Sequence, residues 1–508
     1  MPTRIPVPEA ALRLWNRIPT SRRLPLTVFA SCQAILLLWW AAFFPGLMSY
    51  DSVAYVWQVT TDNWMGNHSV LYNVFVWLSI EITGDLWLLT LCQTLAMSAA
   101  LAYTAVALRD LGARGRWSAI AAVVLVSVPA TGTFPIFIWK DSAFSIAAVL
   151  AFAASTRLIA RRIKGIHRLR DRGFYIDLAL LEAGFLGIAL FRNNSVLVVL
   201  CAFPFLVLAL TGMRRWITVL TAGTTAVYLL LQFVVYPGVG IVMPRVDQVY
   251  AFNYADIADA YGQSPATFTA QDKATMEKVA PLSFWGGKAA NCYDVDDTMS
   301  APFDRAAAVK YNDDLLTVWA NVLRRTPQDV ASAHLCRAHI AWAIWPSAAG
   351  TGIAYPVVPK NLFGWANWNQ QIKDSPYRPA LKTRPLSHTL HSAASWWYNL
   401  SRTSQLLWLL WRGALWCYVL YGVAIVYARR SGSRSAYGLV AITVGLQLTV
   451  LAANPAQLAR YMIPPFYLGV MSLALLSAKR RPAVVPVPAE PVPAEPVPVS
   501  AEPEASKE

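Results

Sequence analysis

The sequence predicts an all-α polytopic membrane protein with about ten transmembrane helices, or eleven if one short apolar stretch also crosses. Three observations predict it. Apolar runs that approach or exceed the ~20 residues needed to span a bilayer recur at Leu26–Phe44, Leu86–Leu108, Ser195–Leu210, Ile217–Tyr236 and Ser404–Ala428. Charged residues make up 14% of the 508, where a soluble domain carries about a quarter. The Lys and Arg residues gather between the runs, at Arg109/Arg114/Arg116, Arg157–Arg172, Arg214/Arg215, Arg429/Arg430/Arg434 and Lys479–Arg481. That is the positive-inside pattern that orients membrane proteins. It accounts for the net charge of +15 without a nucleic-acid partner, and none is expected.

The pattern dictates a path. Residues 1–24 form a basic cytoplasmic N-terminus. The run after it is too long for a signal-peptide core and no A-x-A site follows, so it is read as an uncleaved first span, about 25–45. Residues 46–85 make the first outer loop. Spans follow at 86–108, 117–133, 142–160, 174–190, 195–211 and 216–236, completing a transmembrane core over 25–236. Segment 237–403 is long enough for a mainly helical extracytoplasmic domain. Spans at 404–428, 436–452 and 461–477 make the C-terminal unit, 404–478. The stretch 70–82 is apolar but short and is read as lying on or dipping into the outer surface. Residues 479–508 repeat Pro-Val-Pro-Ala-Glu, which cannot build a core, so a disordered cytoplasmic tail is expected.

Within 237–403, Pro302–Arg325 reads as an amphipathic helix. A second helix is expected from Thr326 as N-cap and Pro327 to about Trp345. Of six cysteines, Cys32, Cys92, Cys201 and Cys417 fall in spans. Cys292 and Cys336 fall in the outer segment, where disulfides are permitted, and a Cys292–Cys336 bridge is expected. No zinc spacing, P-loop or dinucleotide-binding fingerprint is present.

Polar residues that span ends do not explain collect on the outer side. The first outer loop carries Asp51, Ser52, Gln58, Asp62, Asn67 and His68. Lys140 and Asp141 begin one span, Arg192, Asn193 and Asn194 turn between two, and Arg460 and Tyr461 begin the last. Each has a local explanation: Asp51 as a helix cap, Lys140-Asp141 as a pair at a helix start, Arg192-Asn193-Asn194 as a tight turn, Arg460 as a snorkelling residue and His68 as a structural histidine. Together they suggest chemistry. Lys140, Arg192 and Arg460 suit the phosphate of a lipid. Asp51 suits a general base towards a hydroxyl. A sugar leaving from phosphate needs no protonating acid, because phosphate departs as an anion.

These motifs resemble the GT-C superfamily of membrane glycosyltransferases, and more narrowly a bacterial branch of it. The resemblance rests on Pro45-Gly46…Asp51-Ser52, Asn67-His68, Trp139-Lys140-Asp141, Arg192-Asn193-Asn194 and Arg460-Tyr461…Pro464. It departs at Ser69, where Pro is expected, and at Ser195, where Gly is commoner. The paired acids of many such enzymes are missing beside Asp51, leaving open a contribution from Asp62 or Asp141 and the use of a divalent cation. The resemblance implies a multi-pass enzyme of the bacterial plasma membrane with its site facing outside. It would move a sugar from a polyprenyl-phosphate donor to an envelope glycan, lipid or protein, inverting the anomeric centre with Asp51 as base. Donor phosphate would be bound by Lys140, Arg192 and Arg460, supported by Ser52, Asn67, His68, Asp141, Asn193, Asn194 and Tyr461. The Trp-rich stretch 342–371 is a candidate acceptor surface. The alternatives are a flippase or transporter of a lipid-linked sugar or anion, and a non-catalytic envelope-assembly scaffold.

Overall fold

The computed structural model describes residues 19–165, 171–347 and 377–479. The basic N-terminus up to residue 18, most of the 342–371 stretch and the Pro-rich tail from 480 lie outside them. Among the described residues the chain is helical, and extended pairing is limited to three isolated bridges.

Among the described residues seven helices are long and apolar enough to cross a membrane, and nine if two bent pairs each count as one span. A count of ten is not reached, because Val196–Ala209 has only 14 residues. At 1.5 Å per residue it rises about 21 Å, short of a hydrocarbon core near 30 Å. Val70–Thr83 is likewise a short apolar helix. The span expected at 117–133 breaks after Ser127, where Pro129 cannot continue the helix, and turns by 82°.

Helix Lys140–Ile163 is the centre of the bundle and is buried along most of its length. Small residues allow its neighbours to approach, as membrane helices require. Gly184 faces Ala151 and Gly187 faces Ala147, and a Cβ at either glycine would fall within 2.8 Å of its partner. The first span, Thr20–Ala42, turns Val28, Cys32, Leu36 and Trp39 inward. Its Gln33 joins Thr94 and Ser98 of Trp87–Asp110 in buried hydrogen bonds of 3.1 and 2.9 Å.

Helix Lys140–Ile163 carries charge at both ends. At its C-terminal end Arg157 and Arg161 grip the buried Asp177 at 2.7 and 3.0 Å. Tyr103 donates to the same carboxylate at 2.6 Å. At its N-terminal end stand Lys140 and Asp141.

The expected domain 237–403 divides. Residues from Ala251 to Val330 enclose their own core around Trp285. Helix His388–Ser401 instead buries Tyr398 in the core of the bundle. The expected helix 302–325 is interrupted at Tyr311, giving Arg305–Lys310 and Asn312–Arg325. The second ends at Arg337 and is followed by the short turn His339–Trp342. Thr326 occupies the N-cap, but its hydroxyl donates back to Val322 O at 3.3 Å.

Cys292 and Cys336 are joined, with Cα atoms 5.8 Å apart across 44 residues of sequence. A loop of this length stabilises by roughly 3–4 kcal/mol. Replacing both cysteines by serine is expected to lower the unfolding midpoint in detergent. A midpoint equal to wild type would show that the crosslink contributes nothing.

Candidate functional site

Local backbone pairing builds the site. Residues Pro45 and Gly46 end the first span, and Leu47 then pairs in parallel with Phe137. Leu47 N donates to Ile136 O, and Ile138 N to Leu47 O, both at 2.9 Å. Gly46 is required by this approach, since a Cβ would lie 2.7 Å from Ile136 O and 2.8 Å from Thr90 Cγ2. The pairing sets the start of helix Tyr50–Thr60 beside the start of Lys140–Ile163. Ser52 fastens the two. Its hydroxyl accepts from Ser49 N at 3.0 Å and donates to Ile138 O at 2.8 Å. Trp139 donates from its ring nitrogen to Ser49 Oγ.

Ser49 and Ser52 serve as the cap, so Asp51 is not spent there. Its carboxylate turns to Arg460, with Nη1 2.6 Å from Oδ2. Arg192 Nε lies 3.3 Å from Asp141 Oδ1. Lys140 Nζ lies 3.4 Å from His68 Nδ1. The guanidinium carbons of Arg192 and Arg460 lie 4.5 and 5.3 Å from the Tyr461 ring centre, which supports both cations through the aromatic face. Asn193 Nδ2 donates to Gly66 O at 2.7 Å, and Asn194 Nδ2 to Ala453 O at 3.0 Å. These bonds fix the turn that presents Arg192.

One cavity of about 910 Å³ is lined by Asp51, Asn67, His68, Lys140, Asp141, Arg192, Asn193, Asn194, Arg460 and Tyr461. Of the expected site residues in the bundle, Ser52 alone is absent from that lining and acts through the backbone. Asp62 is exposed in the left-handed turn that ends the Asp51 helix and does not line the cavity. Asp141 does line it.

The second wall was not expected. Asp294, Asp296 and Arg305 reach the cavity from the Ala251–Val330 unit. Val295 N donates to Pro455 O at 3.0 Å and Gln457 N to Tyr293 O at 2.9 Å. The disulfide at Cys292 begins the same segment. The acidic run Asp294–Asp297 beside a crosslinked cysteine was the available signal. The bundle wall thus carries three cations and two carboxylates, and the wall from the Ala251–Val330 unit one cation and two carboxylates.

No protein-family model, curated protein or solved structure matches the chain. The chemistry of the site follows from its own residues.

Burial alone would raise the Asp51 pKa. The Arg460 guanidinium, with the Lys140 ammonium, outweighs it and holds the carboxyl well below the usual carboxylate range. Burial, with the Lys140 ammonium next to it, lowers His68 to about 3. His68 is therefore neutral near pH 7, and Nδ1 accepts from an ammonium that can only donate. Burial raises Asp294 to about 6, with Asp296 adding to it. Asn67 Oδ1 is buried without a hydrogen-bond partner among the described residues, and Asp141 Oδ1 keeps only its ion pair with Arg192. Among the described residues no group of three His, Cys, Asp or Glu side chains forms a metal-holding set. No step is derived through a divalent cation.

Proposed function

We propose that this protein is a GT-C-like membrane glycosyltransferase that moves a sugar from a polyprenyl-phosphate donor to a hydroxyl of a cell-envelope glycan, lipid or protein. The observation that carries this reading is the convergence of Lys140, Arg192, Arg460 and Asp51 on one cavity at the end of the bundle.

An exposed apolar wall favours a lipid-borne phosphate. Helix Arg214–Leu230 continues through a π-turn, Leu231–Val235, which brings Gln232 and Phe233 to the cavity. Single π-turns are frequent at functional sites. Phe233, Val234, Val239 and Val242 beside it are 56–68% exposed. An amphiphile fits such a junction, with its phosphate on the cations and its chain along the apolar wall.

Sidedness has two supports. The cavity lies at the end of helix Lys140–Ile163 remote from the arginine-rich end, which positive-inside statistics place in the cytoplasm. The Cys292–Cys336 disulfide on the cavity's outer wall suits an oxidising exterior. A bacterial plasma-membrane protein with its site facing outside accommodates both.

In the proposed reaction the acceptor oxygen attacks the anomeric carbon as its bond to the phosphate oxygen breaks. Asp51 takes the acceptor proton, and polyprenyl phosphate leaves as an anion held by Arg192, Lys140 and Arg460. Direct displacement inverts the anomeric centre. The more acidic outer wall, Asp294 and Asp296, is placed to hydrogen-bond a polyhydroxyl acceptor.

The test is transfer by purified protein in lipid, with synthetic polyprenyl-phosphate mannose, arabinose, glucose and galactose as donors and envelope extract as acceptor. Label is expected to pass from at least one donor into the extract. Donor that binds and crosses the bilayer unconverted would replace this reading with a flippase.

A further inference from the structure

A second cavity lies at the opposite, arginine-rich end of the bundle, where helix Lys140–Ile163 ends. Its volume is about 770 Å³. The end of that helix supplies Arg162, the end of Val196–Ala209 supplies Phe205 and Leu208, and Thr211 follows. The facing turn supplies Ser433, Arg434, Ser435 and Tyr437. The floor is rigid. Gly438 sits against Ala209 and Ile159, where an added Cβ would fall 2.5 and 3.0 Å from their side chains.

The charges here are unlike those of the candidate site. Among the described residues no carboxylate lines this cavity. The nearby Asp171 and Asp177 are held by Arg157 and Arg161. Arg162 donates from Nε to Thr211 Oγ1 at 2.9 Å, which orients the guanidinium and uses one of its five donors. Arg434 lines the same cavity from the turn. Three hydroxyls, from Thr211, Ser433 and Ser435, line it as well. The lip is apolar and turned outward: Leu208 is 71% exposed, Tyr437 46% and Phe205 36%.

We propose that this groove binds the headgroup of an anionic phospholipid, with the acyl chains lying along Phe205 and Leu208. A phosphodiester matches the planar arginine fork, and the hydroxyls complete its shell or meet a glycerol. A choline or ethanolamine headgroup brings a cation to two arginines with no carboxylate to receive it, so zwitterionic lipids are disfavoured. Basic pockets between helices near the cytoplasmic leaflet are suited to such headgroups. The apolar lip distinguishes a lipid from a free phosphate, which would gain nothing from it.

The experiment measures lipid bound to the intact protein in neutral detergent by native mass spectrometry, titrating phosphatidylglycerol against phosphatidylcholine. Phosphatidylglycerol is expected to bind at least tenfold more tightly. The double variant R162Q/R434Q is expected to lose about tenfold or more of that affinity. Ser433→Asp, which puts a carboxylate in the groove, should lower it as well, with an unchanged unfolding midpoint showing that the fold is kept. The control R114Q/R116Q removes equal charge at the same end but outside the groove and should bind like wild type. Equal affinity for the two lipids, or equal loss in the control, overturns the proposal. Displacement of the lipid by glycerol phosphate at matching concentration also overturns it, by making the site one for a free anion.

Discussion

Asp51→Asn is expected to reduce sugar transfer by about 10²–10⁴-fold, the usual contribution of a positioned general base. Donor binding should change little or strengthen. Asparagine keeps the size of the side chain, so the cavity should persist. It removes the charge that occupies Arg460 at 2.6 Å, leaving that guanidinium freer for phosphate. A flippase or scaffold predicts no loss of function from the same change. Full transfer activity in the variant would remove Asp51 from the role of base. The pH profile gives a second readout. Arg460 and Lys140 outweigh burial and keep Asp51 ionised well below neutral pH. An acid limb near pH 6 in the wild type would therefore belong to Asp294, whose carboxyl is raised to about 6 by burial and Asp296. That limb should disappear in Asp294→Asn.

Much of this site was legible because its residues sit at helix ends and in tight turns. Basic residues are rare on the side the charge pattern marks as outer, so Lys140, Arg192 and Arg460 stood out singly. The fold brings them to one cavity. Their local explanations fared differently. Asp51 is not the cap it resembles, because Ser49 and Ser52 take that place. Lys140 and Asp141 do not simply satisfy one another: Lys140 faces His68 and Asp141 faces Arg192. Asp294 and Asp296 were not legible. They reach the cavity through the pairing of Val295 with Pro455, a contact across a long stretch of chain that leaves no periodic trace. The apolar runs located the helices, but not the turn after Ser127. Hydropathy reports how much apolar sequence is present and not its direction, and Pro129, Gly132 and Pro135 were the local signs. The Ala251–Val330 core escaped for a related reason. It is built from short helices, whose brief patterns do not mark where one packed unit stops and the next begins.

Arg460→Gln is expected to raise the KM for the donor by about 10–150-fold, the loss of a hydrogen bond to a charged group, and to create an acid limb in the rate profile. The two effects share one cause. Arg460 is paired with Asp51, yet the proposed reaction needs its charge on the departing phosphate. A phosphate that draws Arg460 away also removes the strongest attraction holding the Asp51 proton off. The carboxylate then becomes a better base when donor is bound, because burial, the opposing influence, remains. Glutamine removes that attraction permanently. The Asp51 pKa rises, so the base becomes protonated as pH falls through the raised value, and this adds an acid limb that persists when Asp294 is replaced by Asn. Arg460→Lys should separate the contributions. It keeps the positive charge, so no new acid limb should appear, but it loses the planar fork that grips phosphate at two points, so KM should still rise. A glutamine variant with raised KM and an unchanged acid side would leave Arg460 as a phosphate ligand alone and dissolve its link to Asp51.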